Sequence, residues 1–129
     1  MELQKNFAPY KIAKQLKDKG FNAPCFGFYV LNHKEVIISE LRDELSGIIL
    51  APIYQQITEW LREEHNIIIE IQLDQTSNIK FCIEIIKFNK FADFQKIDIP
   101  IESWKLFRNY YEALNQSIQE SLKLISDIK

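Results

Sequence analysis

Two runs of branched residues, Ile67 to Leu73 and Ile79 to Phe88, flank the five polar residues Asp74 to Asn78. In a strand, successive side chains point to opposite faces, so an alternation of period two is a strand signature. Phe81, Ile83 and Ile85 share one face; Cys82, Glu84 and Ile86 share the other. Glu70 and Gln72 mark the polar face of the partner run. Five residues is an ordinary length for a hairpin connection. The spacing predicts an antiparallel hairpin with one face to be covered.

Helices to cover it are legible elsewhere. Pro52 to Glu64 places Ile53, Ile57, Trp60 and Leu61 on one side at spacings of three and four. Asn66 reads as its stop. Pro9 to Lys19 carries Ile12, Ala13 and Leu16 on one side, with Pro9 suited to a first turn. Gly20 then reads as a C-terminal cap, with Phe21 as the apolar residue just beyond it. The last helix is predicted over 109–127. Asn109-x-x-Glu112 opens it as an asparagine form of the capping box, and Ala113 or Leu114, Ile118, Leu122 and Ile125 form its stripe.

The remaining segments are less regular. Cys25 to Leu31 reads as a strand that is apolar on both faces, so layers are expected on both sides. Asn32 to Glu35 reads as a turn, and Val36 to Ile38 as an antiparallel return. Ser39 to Glu44 suits either a short helix or a polar loop. From 89 to 108, Phe91, Phe94, Ile97, Ile99, Ile101, Trp104 and Phe107 are too apolar for a free linker. A packed excursion with one short edge strand is expected, and Pro100 argues against an unbroken helix. The sum is one compact α+β domain over 1–129: a mainly antiparallel sheet of four or five strands packed with about three helices. A small α/β layer with one parallel crossover is the rival. The helices beginning at Pro9 and Pro52 echo each other faintly; two amphipathic helices opened by proline account for that.

Charge and cysteine content narrow the function. Of 129 residues, 47% are hydrophobic, enough for a real core. A net charge of -2 is not that of a chain built to lie along a phosphate backbone. No apolar run approaches the roughly 18 residues of a membrane span, and no secretory leader opens the chain. A cytoplasmic protein is expected, with Cys25 and Cys82 as reduced thiols in apolar strand text. Three glycines leave no glycine-rich phosphate loop. His33 and His65 form no close ligand pair with either cysteine, so neither a metal, a cofactor nor a catalytic residue is expected. His65 reads as a helix-end residue whose charged form is favoured there. Glu59, Glu63 and Glu64 read as a solvated helix face.

Two sets of residues are candidates for recognition, the alternative being that most of the aromatic ones complete the core. Trp60, Trp104, Phe107, Tyr110 and Tyr111 are more aromatic material than a small core must bury, and Glu63 adds acid beside them. Tyrosine and tryptophan at an interface combine large contact area with a polar handle. Lys11, Lys14, Lys17 and Lys19 give the first helix a basic character suited to nucleic acid.

Phe21-Asn22-x-Pro24-Cys25-Phe26-Gly27-Phe28-Tyr29 resembles a phrase of small proteins carried by phages and mobile elements of Bacteroidetes. Ala51-Pro52-Ile53-Tyr54-Gln55-Gln56, Trp60-Leu61-Arg62-Glu63-Glu64-His65-Asn66 and Tyr110-Tyr111-Glu112-Ala113-Leu114 continue the likeness in the same order. It runs in segments from about Ile12 to Ile125. Phe28 stands where tyrosine is more usual, and Lys34 to Gly47 is individual to this chain. The resemblance implies a gene of a phage, prophage or conjugative element. It implies no substrate and no catalytic residue.

The expected function is that of a non-enzymatic accessory protein that binds and modulates a host or mobile-element protein, with host defence as one setting. The alternative is a nucleic-acid-binding accessory protein. An exposed aromatic patch rimmed by acid favours the first. A continuous lysine face beside buried aromatics favours the second. A polar pocket joining Cys25, a histidine and a carboxylate would point to an enzyme. Oligomeric state is left open.

Overall fold

The computed structural model describes residues 3–41, 47–74, 80–88, 94–97, 107 and 109–126. Among them the protein is α+β, with three α-helices and six strands, every paired strand antiparallel to its neighbour. The helices are α1 (Tyr10–Asp18), α2 (Tyr54–His65) and α3 (Tyr110–Leu122). The strands are β1 (Cys25–Val30), β2 (Ile37–Leu41), β3 (Ile48–Leu50), β4 (Ile67–Asp74), β5 (Lys80–Phe88) and β6 (Phe94–Ile97). They form two three-stranded sheets, ordered β2-β1-β3 and β4-β5-β6, in place of one sheet of four or five. Alternation specifies which strands form a hairpin; it does not specify which hairpins merge. The chain divides into two compact units, Met1–Glu59 with Ile125–Lys129, and Trp60–Leu124. The boundary falls within α2.

The first unit is built on β1. Its inward residues Cys25, Gly27 and Tyr29 are buried, and Tyr29 joins Phe7, Ala13, Ile49 and Ala51 in a core cluster. Residues 7 and 8 are fastened at three points. Phe7 forms an isolated antiparallel bridge with Ile53. The Ala8 amide donates to the Pro52 carbonyl at 2.8 Å, and the Tyr29 hydroxyl donates to the Ala8 carbonyl at 2.7 Å. The opposite face of β1 is more open than expected: Phe26 is 58% exposed and Val30 is exposed too. A run that is apolar on both faces needs a layer on each side to bury it, and here the alternation of burial shows one face closed.

Helix ends in this unit follow local chemistry. Pro9 is the N-cap of α1, just outside the first turn, and Gly20 ends the helix with φ +99°. The Phe21 amide donates to Leu16 O at 3.0 Å and the Gly20 amide to Lys17 O at 3.1 Å. Phe21 and Leu16 are both buried, so the apolar contact typical of this termination is available. At the start of α2, Gln56 Oε1 accepts from the Ile53 amide at 3.1 Å, the reciprocal half of a capping box. Gln56 Nε2 donates to Pro24 O at 2.8 Å, tying this helix start to the approach to β1. β2 runs through Ser39 to Leu41, where a short helix or loop was the expectation; residues 42–46 lie outside the described residues.

In the second unit α2 stops at Asn66, whose φ of +56° suits asparagine better than most side chains. β4 and β5 then pair in unbroken register from Ile67↔Lys87 to Asp74↔Lys80. Among the described residues β6 pairs only with β5, as the expected short edge strand. α3 packs across β4 and β5. The helix ends at Leu122, short of the predicted 127; its stripe residues Ala113, Leu114, Ile118 and Leu122 are buried, as is Ile125 beyond its end, and so are Ser117, Glu120 and Ser121. The serines fit because each hydroxyl turns back onto its own helix: Ser117 Oγ donates to Ala113 O at 2.7 Å, and Ser121 Oγ to Ser117 O at 2.8 Å. Glu120 Oε1 accepts from Gln116 Nε2 and Lys123 Nζ.

Gly27 has no positive φ; its requirement is space. A Cβ there would stand 2.7 Å from Phe7 Cε1 and 3.0 Å from Val36 Cγ2. Gly27→Ala is expected to destabilise the protein by about 1–3 kcal/mol, the usual cost of overpacking. Urea titration of Gly27→Ala, Phe7→Leu and the double variant should show coupling, with the double variant less destabilised than the sum. Strict additivity would refute the contact as the cause.

Candidate functional site

The hub of the candidate site is Phe81, in β5. Its backbone N–H and C=O bond reciprocally with those of Phe107, at 2.7 and 2.8 Å. Its partner across β4 is Leu73. Its ring meets Tyr110 edge-on, with centroids 5.7 Å apart, and Tyr110 meets Tyr111 edge-on at 5.9 Å. These T-shaped geometries suit the ring quadrupole. Asn109 sets the tyrosines in place by capping α3: its Oδ1 accepts from the Tyr111 amide at 2.7 Å. Leu73, Tyr110 and Tyr111 are 48%, 46% and 38% exposed, and Glu112 is exposed beside them. The result is an open aromatic cluster with a carboxylate next to it.

The sequence-predicted residues separate into three groups. Tyr110 and Tyr111 form the open surface. Phe107 belongs to the same locus but is buried, so it supports that surface without presenting itself. Its backbone bridge to β5 draws it inward, which corrects the expectation that it faces a partner. Trp60 and Glu63 lie on α2. Trp60 is half-buried, with its ring edge-on to His65 at 4.5 Å. Glu63 is exposed and 3.8 Å from Arg62, a solvent-screened pair worth little energetically. Trp104 lies outside the described residues. Leu73 and Phe81 were not singled out from sequence. Their signal was there: an apolar residue at each mouth of the hairpin turn, one facing the other.

On α1, Lys11, Lys14 and Lys17 are exposed, with Asp18 exposed among them. Lys19 is different. It is half-buried, and its Nζ donates to the Ile125 carbonyl at 2.7 Å, so it ties down the chain rather than adding to a basic face.

Cys25 is buried, its Sγ donates to Ala23 O at 3.2 Å, and desolvation pushes its pKa up to about 12. A thiol held neutral is a poor nucleophile. Cys82 is half-buried, 3.6 Å from Gln72 O. Burial likewise raises the pKa of the Tyr29 hydroxyl. His65 is lowered, first by desolvation and also by Lys87, while Glu64 pulls the other way. Burial outweighs the helix-end effect expected from sequence, so the neutral ring is favoured. Among the described residues, no group of three or more His, Cys, Asp or Glu side chains is placed to hold a metal ion, and no helix is long and apolar enough to cross a membrane. Comparison with protein families, with curated proteins and with solved structures yields no match.

Two predictions follow from these environments. With a thiol reagent at neutral pH, the native protein should react at Cys82 and spare Cys25, and both should react in denaturant; rapid native labelling of Cys25 would contradict its burial. His65 binds protons more weakly folded than unfolded. Its stabilising contribution is complete above the ordinary histidine pKa of about 6.5 and is lost as pH falls through the lower folded value. Melting temperature measured against pH should therefore decline more gently on the acid side for His65→Gln than for the wild type.

Proposed function

We propose that this chain is a non-enzymatic accessory protein of a phage or mobile element, and that it works by binding and modulating another protein. The observation that carries this reading is the Tyr110–Tyr111 pair, with Tyr110 edge-on to Phe81, open to solvent like Leu73 and flanked by Glu112. Rigid aromatic side chains with a polar tip are over-represented where partners bind tightly, because they bury much area while losing little rotamer entropy. An apolar patch with an acidic neighbour suits a partner surface that is apolar at its centre and basic at its rim. The mobile-element setting, and host defence within it, rests on the ordered phrases from Phe21 to Leu114.

The nucleic-acid reading keeps one specific support, the exposed Lys11, Lys14 and Lys17. Asp18 interrupts that face, and Lys19 is engaged elsewhere.

The two readings separate in a capture experiment with tagged full-length protein and host lysate, with and without nuclease. A stoichiometric protein partner should survive nuclease and be lost from Tyr110→Ala/Tyr111→Ala, with affinity at least about tenfold weaker, or about 1.4 kcal/mol. The variant should keep its far-ultraviolet circular dichroism, since both side chains are exposed. Recovery of nucleic acid alone, abolished by Lys11→Glu/Lys14→Glu/Lys17→Glu and untouched by the tyrosine changes, would overturn the favoured reading.

A further inference from the structure

We draw no further inference here: the strongest candidate, the exposed apolar face of the first sheet around Phe26, Val30 and Ile37, carries nothing because nothing in the structure shows what covers it.

Discussion

The ring of Phe7 lies against the backbone of β1 at Gly27, closer than any side chain at that position would allow. That approach lets the segment before α1 sit over the sheet. Once there, Phe7 bridges Ile53, Ala8 bonds Pro52, and the Tyr29 hydroxyl closes on Ala8. Each of these bonds satisfies a polar group that burial would otherwise penalise. Tyr10 continues the arrangement: its ring stands edge-on to Tyr29 at 5.4 Å, and its hydroxyl accepts from the Asn32 amide at 3.0 Å, at a residue with φ +70°. The first core is thus a set of aromatic rings whose polar tips are spent on loop backbone. It links the N-terminal segment, the β1–β2 turn and the start of α2.

Several residues singled out in the sequence have structural duties in the fold. Gly27 makes room for Phe7, Cys25 fills the core as a neutral thiol, and Gln56 both caps α2 and holds Pro24. Exposed apolar chemistry lies on Tyr110, Tyr111 and Leu73, and on the isoleucines of β2. The Asn109 cap fixes the helix start at the two tyrosines, and Phe81 supplies the ring that Tyr110 meets.

Local physics was legible in the chain wherever one chemical device decides the outcome. Gly20 and Phe21 ended α1 as their types require, Asn66 ended α2, Asn109 opened α3, and alternation fixed the β4–β5 hairpin. The apolar stripe of α3 was correct but too narrow. Ser117 and Ser121 widen it, because their hydroxyls are satisfied by the helix's own carbonyls, which a sequence does not show. Phe107 read as a surface aromatic because its burial depends on a bridge to Phe81, 26 positions earlier in the chain. Half of the candidate site, Tyr110 and Tyr111, was visible from composition. Leu73 and Phe81 joined it through strand register.

The sequence by itself determined the α+β class, the places of the three helices with the glycine and asparagine signals at their ends, and the β1–β2 and β4–β5 hairpins. All of these follow from interactions within a few residues or across one turn. Tertiary structure decided that six strands divide into two sheets, that β1 keeps one face open, and that Lys19 and Phe107 turn inward while Ile37 and Ile38 stay out. Those outcomes depend on which surfaces meet. Side-chain periodicity tells a strand which residues share a face, but only the packing of distant segments decides whether that face is covered.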